Sequence, residues 1–304
     1  MAWQRSIRRK VATEGVGIHT GARVRLALRP APANTGVVFV RTDAGVSIAA
    51  RAENIRDITY ATTLGARGAE VSTVEHLLAA LAGLGVSNVF VDLDGPEVPI
   101  LDGSARPFVE LVETAGLEEQ GASLPELFVK ETVRVEDGDR WIEFRPGAAL
   151  SVDYRVSYAS AAVGRQRFVG SPLDGRFAAA VAPARTFGFL EEVASLKQRG
   201  LGLGGTLDNC IVVDGDRILS GALRFRDEFV RHKVLDLLGD LALVEFPVRA
   251  TVVANKAGHS LHVAAVQELL GRPEAWDLLE PERVAPFTVH PYAGEQAALT
   301  AIAS

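Results

Sequence analysis

The sequence is poor in sulfur. Its 304 residues hold one cysteine, Cys210, and one methionine. Intramolecular disulfides are therefore excluded, as is a zinc site built from cysteine alone. There is no basic excess: 32 Lys and Arg stand against 38 Asp and Glu, a net charge of −6. That balance argues against a nucleic-acid binder, although local cations can still serve an anionic ligand. Long apolar runs are missing too. The uncharged stretch 77–86 is too short to cross a bilayer. No apolar h-region follows the basic Met1-Ala-Trp-Gln-Arg-Ser-Ile-Arg-Arg-Lys10 segment, so a cytoplasmic protein without stable membrane insertion is expected. Neither His-Glu-x-x-His nor His-x-x-Glu-His occurs, which removes the common single-helix zinc proteases. The glycine-rich turn Gly15-Val-Gly-Ile-His-Thr-Gly21 lacks the Gly-Lys-Ser/Thr ending of a phosphate-binding loop.

What remains is a globular chain, 48% apolar and 23% charged, long enough for two ordinary domains. Alternating runs at Val24-Arg-Leu-Ala-Leu28, Val37-Val-Phe-Val-Arg41 and Asn88-Val-Phe-Val-Asp-Leu93 read as strands. The run from Leu77 to Leu84 and the stretch 105–115 read as helices. Gln120-Gly-Ala-Ser-Leu-Pro125 is the linker candidate, giving a first domain over 1–122 and a second over 126–304. Beyond it the pattern restarts: Trp141-Ile-Glu-Phe-Arg-Pro146 parallels Leu26-Ala-Leu-Arg-Pro30, and each half later places a histidine, His76 or His232, near the start of a helix. From Pro30 to His76 is 46 positions and from Pro146 to His232 is 86, so a duplicated second half would carry about 40 extra residues. Strands and helices come in blocks, which favours an α+β fold.

Six histidines are available. In Phe229-Val-Arg-His-Lys-Val-Leu-Asp-Leu-Leu-Gly-Asp-Leu241, helical geometry puts His232, Asp236 and Asp240 at about 0°, 40° and 80°. Val230, Val234, Leu237 and Leu241 fall on the opposite side, at about 140–200°. A histidine four residues before a carboxylate can supply two ligands to one metal, or simply be an ion pair on a solvated face. Ser72-Thr-Val-Glu-His76 has the spacing of a capping box between Ser72 and Glu75. The helix it opens is apolar on nearly every side, so His76 would be buried and in need of a partner. Glu75 beside a metal-binding histidine is well placed for a general base. One histidine from each half plus Asp236 makes a three-ligand set with a fourth position open, which suits zinc; iron is compatible with the same donors. His259 reads as a loop histidine after the strand 250–254. Arg185-Thr-Phe-Gly-Phe189 and 200–205 read as a loop with aromatic anchors, for packing or for an apolar groove.

Seven segments, in order, resemble the UDP-3-O-acyl-N-acetylglucosamine deacetylase family, the zinc amidases of lipid A synthesis. They are the turn 15–21, Leu28-Arg-Pro-Ala-Pro-Ala-Asn-Thr-Gly36, Ser72-Thr-Val-Glu-His76, Pro99-Ile-Leu-Asp-Gly-Ser104, Ala184-Arg-Thr-Phe-Gly-Phe189, Phe229-Val-Arg-His-Lys-Val-Leu-Asp236 and Lys256-Ala-Gly-His259. The resemblance implies two similar sheet-plus-helix domains with the active site between them. It assigns one zinc to His76, His232 and Asp236, and makes Glu75 the general base. It places His259 across the site as a cation or general acid held by Asp240, and gives Thr186 the developing oxyanion. Lys233 would lie near substrate charge. The insert near 187–220 would shape an acyl-chain passage with Phe187, Phe189, Leu201 and Leu203. Arg140 and Arg145 would meet the diphosphate, and His19 joins the substrate contacts. The partner implied is a UDP-linked acylated amino sugar, and a monomer is expected. The competing expectation is a non-catalytic sugar-nucleotide or lipid-binding protein of the same fold.

Overall fold

In the computed structural model, residues 3–280 are described. The final part of the expected second domain, 281–304, lies outside them, and so does His290.

The first half is built on a five-stranded sheet in the spatial order Val11–Val16, Arg23–Pro30, Val89–Leu93, Val37–Arg41, Val46–Ala49. Its third and fourth strands run parallel and its other neighbours antiparallel. The second half repeats this order and polarity with Val133–Asp137, Arg140–Pro146, Val248–Asn255, Ser151–Ser157 and Arg165–Gly170. Glu126–Val129 and Trp276–Leu279 extend that second sheet. Burial follows period two: Val24, Leu26 and Leu28 are buried while their odd-numbered neighbours are not, and Val152, Tyr154 and Val156 behave alike. The parallel pair in each sheet needs a crossover, and a helix supplies it. These crossover helices are α1 (Glu75–Gly83) and, after α2 (Arg106–Ala115), α3 (Phe177–Ala180) and α4 (Leu190–Gln198), the longer α5 (Glu228–Leu241). The last α-helix among the described residues, α6 (His259–Leu270), follows the third strand of its sheet as α2 does in the first half. The weak repeat in the sequence is thus a repeat of topology, and the fold is α+β.

The expected linker is not free chain. Leu117–Ser123 is a strand paired antiparallel with Trp3–Ile7. Gln120 donates to the carbonyl of Ala31 (2.7 Å) and accepts from Asn88 (2.8 Å). Turn-forming Gly and Ser resembled a linker, but this strand ties the start of the chain to the end of the first half. The extra length in the second half lies between Gly170 and α5. There the expected loop is ordered: Phe187–Phe189 is a strand parallel to Ile211–Asp214, with α4 between them. Among the described residues no helix is long and apolar enough to cross a membrane.

Candidate active site

The two crossover helices α1 and α5 pack directly against each other. Gly239 makes the close approach: a Cβ there would lie 2.1 Å from the carbonyl oxygen of Glu75. Both faces of α5 are consequently buried. Val230, Val234 and Leu237 face the core, while His232 and Asp236 are 2% exposed and Asp240 is 0%. The polar stripe is therefore an interior surface, not a solvated one.

His76, the second residue of α1, meets His232 and Asp236 at this contact, with one ligand atom from each within 4.8 Å of the others. Nε2 of His232 lies 3.2 Å and Nε2 of His76 3.7 Å from Oδ1 of Asp236. That oxygen is buried and has no hydrogen-bond partner among the described residues. Nδ1 of His232 faces the carbonyl of Ala184 at 3.1 Å, so its proton belongs there and the Nε2 lone pair points at the carboxylate. Burial drives both histidines toward the neutral form, His76 down to about 3. Burial alone would raise Asp236, but the ammonium of Lys233 beside it holds it ionised, well below the usual range. Two imidazole nitrogens and an orphaned carboxylate oxygen converging at a buried place is a donor set that fits a cation. These donors suit zinc and iron alike.

Ser72 and Glu75 do not form the capping box. Thr73 takes φ +57°, Ser72 accepts from Thr63 (2.9 Å), and Val74 is the cap residue. Glu75 instead turns inward. Its Oε2 accepts from the backbone N–H of Thr62 (3.1 Å), and its Oε1 lies 3.8 Å from Nε2 of His259. Burial pushes this carboxyl up to about 7. His259 is not a surface loop residue but the first residue of α6, its side chain 10% exposed. Nδ1 of His259 donates to Asp240 (2.8 Å). Burial would lower His259, but the charge and hydrogen bond of Asp240 carry it up to about 9.

Lys233 reaches Oδ2 of Asp236 (2.9 Å), and its ammonium stands 5.4 Å from the ring centre of Phe187. Despite burial, the charge and hydrogen bond of Asp236 keep Lys233 charged, raised above the ordinary range. Phe187 packs edge-on against Phe229 (5.0 Å) and His232 (6.1 Å), with Phe189 and Tyr158 beside it. Thr186 follows closely on Ala184, and its backbone N–H binds the carbonyl of Gly103 (2.7 Å), joining the two halves. Leu201 and Leu203 lie beyond α4, in the glycine-rich end of the insert. There the N–H of Leu203 binds the carbonyl of His19 (3.1 Å), and Leu203 is 54% exposed. The turn holding His19 is fixed by Glu97, which accepts the N–H groups of His19 (2.9 Å) and Thr20 (2.8 Å).

Among the described residues neither Arg140 nor Arg145 forms an ion pair with the cluster. Arg140 pairs with Asp137 and Arg145 with Glu143, both exposed. Five positions apart on one strand, they point to opposite faces and cannot share one diphosphate from there.

Sequence reasoning missed Thr62, Glu97, Tyr154 and His262. Thr62 contacts Asp240 through its hydroxyl (2.5 Å) and Glu75 through its backbone. His262 had a legible signal: it lies three positions after His259, on the same face of a helix.

A duplicated α+β scaffold with a buried two-histidine, one-carboxylate cluster and a titratable glutamate beside it is the architecture of a hydrolase with a metal-binding centre. The chain matches, over residues 4–271, the family described as UDP-3-O-acyl N-acetylglycosamine deacetylase, and it belongs to that family. It is 42% identical over 295 residues to the UDP-3-O-acyl-N-acetylglucosamine deacetylases of Shewanella sp. (strain W3-18-1) and Shewanella baltica (strain OS155 / ATCC BAA-1091). Each comparison covers 95% of this chain and 96% of the relative.

Proposed function

We propose that this protein removes the N-acetyl group from a UDP-3-O-acyl-N-acetylglucosamine, releasing acetate at an early step of lipid A synthesis. The observation that carries the reading is the meeting of Glu75 and His76 from one half with His232 and Asp236 from the other, in a chain that matches the deacetylase family over nearly all its described length. A non-catalytic binding protein would have no use for a buried glutamate raised to about 7 beside a carboxylate that leaves one buried oxygen without a hydrogen-bond partner. On this reading the two halves, up to 122 and from 126, are duplicated units that share one site, and the reaction takes place in the cytoplasm.

His76, His232 and Asp236 would hold one zinc or iron ion. Bound there, the ion would supply Lewis acidity toward the acetamide carbonyl. Glu75, its Oε2 pinned by Thr62, takes the proton of the attacking water at Oε1. His259, charged and aimed by Asp240, with its Nε2 3.8 Å from Oε1 of Glu75, supplies the proton that the leaving nitrogen requires. The hydroxyl of Thr186 hydrogen-bonds the developing oxyanion, and Lys233 stays charged near it. Phe187, Phe189, Leu201 and Leu203 serve the acyl chain, each buried methylene contributing about 0.8 kcal/mol. The test is acetate release from the UDP-linked substrate by native, chelator-treated and metal-restored protein. Chelation should abolish turnover, and one equivalent of zinc or iron should restore it. Undiminished turnover in metal-depleted protein would end the metal assignment, and absence of acetate release from metal-loaded protein would end the function.

The pH dependence follows from the two shifted groups. A base must be unprotonated, so turnover rises with pH through about 7, where Glu75 ionises. An acid must be protonated, so turnover falls through about 9, where His259 discharges. The result is a bell whose limbs are macroscopic values of a coupled site. His259→Gln should remove the alkaline limb. An unchanged alkaline limb in that variant would assign it elsewhere.

A further inference from the structure

Behind the Asp240–His259 pair lie His262 and Tyr154, a buried polar pair with no part in the steps above. The carboxylate of Asp240 receives three donors. Thr62 Oγ1 binds Oδ1 at 2.5 Å, while Nδ1 of His259 and Nδ1 of His262 both bind Oδ2, at 2.8 and 2.9 Å. His259 and His262 are neighbours on one face of α6, which lets two imidazoles reach a single oxygen. His262 is fully buried, and burial holds it in the neutral form with one N–H. An ionised carboxylate only accepts, so that proton sits on Nδ1, while Nε2 lies 2.8 Å from the hydroxyl of Tyr154, whose single proton is shared between Nε2 and the carbonyl of Ala257. Tyr154 is itself fully buried on the strand Ser151–Ser157, its hydroxyl 2.9 Å from the carbonyl of Ala257.

This arrangement is costly as mere filling. The other buried positions of α6 are Leu261, Val263, Ala265, Val266 and Leu269, and an apolar pair would occupy the same space without desolvating a ring nitrogen and a hydroxyl. What the polar pair adds is orientation. Thr62 on Oδ1 and His259 on Oδ2 set the plane of the Asp240 carboxylate, and His262, a second donor on Oδ2, stiffens it against rotation about the Cβ–Cγ bond.

We propose that His262, seated by Tyr154, is a positioning residue for the deacetylation: it fixes the Asp240 carboxylate that aims Nε2 of His259 at the reacting centre. The inference rests on the role given to His259 above. The experiment is steady-state acetate release by His262→Leu and His262→Asn, each made in the native protein and in His259→Gln, with metal content and melting temperature measured on the same samples. His262→Leu should lower kcat about tenfold or more at nearly unchanged KM and metal content. His262→Asn, whose amide N–H can reach the same oxygen, should recover most of the loss. In the His259→Gln background, His262→Leu should cost nothing further, because residues that act as a unit are non-additive. An equal loss in both backgrounds, or full kcat in folded His262→Leu protein, would overturn the inference alone. An unchanged rate in His259→Gln by itself would overturn the reading of His259 and this inference with it. Should His262→Leu fail to fold, Tyr154→Phe carries the same test, with a smaller kcat loss in the native background and none in His259→Gln.

Discussion

Glu75→Gln protein is expected to lose about 10²–10⁴-fold in kcat and at the same time to melt at a higher temperature than the native protein when both are metal-free. The first effect comes from removing the base: glutamine keeps the size and the acceptor for the Thr62 N–H but cannot take a proton. The second follows from burial, which raises the carboxyl from its ordinary value of 4.5 to about 7. Below the unfolded value the group is neutral in both states and costs nothing. As pH rises through the interval up to about 7, the unfolded chain ionises while the folded one resists, so the native state is progressively penalised. Above that interval the whole penalty is present, and glutamine removes it. A capping glutamate would behave oppositely, with turnover largely kept and stability lost by about 0.5–2 kcal/mol. Paired measurements of kcat and melting temperature near pH 8 separate the two. Native turnover in the variant would deny Glu75 the role of base.

The fold class and the repeat were legible because they rest on local signals: period-two burial in the strands, and Arg-Pro endings that recur in both halves. The metal cluster was half legible. The four-residue spacing of His232 and Asp236 fixes their common side of α5, but only packing reveals that this side faces α1 and not water. The Ser72–Glu75 spacing misled for a related reason. Capping is a local competition, and here it is lost to tertiary partners, Thr63 for the serine and the Thr62 N–H for the glutamate. The linker misled because Gly and Ser are tolerated in an edge strand whose pairing partner lies at the far end of the first half. Arg140 and Arg145 show the limit of charge counting: each is neutralised by a carboxylate on its own hairpin. Tyr154, Thr62 and His262 come from three distant parts of the chain. No window of sequence contains the carboxylate that joins them.

Gly239→Ala is expected to damage fold and chemistry together. A Cβ at this position would lie 2.1 Å from the carbonyl oxygen and 2.7 Å from the Cα of Glu75, and both are backbone atoms that cannot rotate away. The strain can be relieved only by moving α1 away from α5. Overpacking of this kind typically costs about 1–3 kcal/mol, occasionally more. The same movement carries Glu75 and His76 away from His232 and Asp236. A misplacement of about 1 Å at a reacting centre can cost about 10²-fold in rate. The folded fraction of Gly239→Ala should therefore bind metal more weakly and turn over about a hundredfold more slowly, beyond its loss of stability. Gly170→Ala is the control, since the nearest atom to its added carbon would be 3.7 Å away, on the ring of Phe168. It should match the native protein in melting temperature, metal content and kcat. If Gly239→Ala matched it as well, the spacing of the two helices would have to be set by something other than this contact, such as the hydrophobic core that surrounds them. If it melted early but retained native turnover per folded molecule, the helices would be strained without being separated, and the site would tolerate more displacement than its buried, closely spaced donors imply.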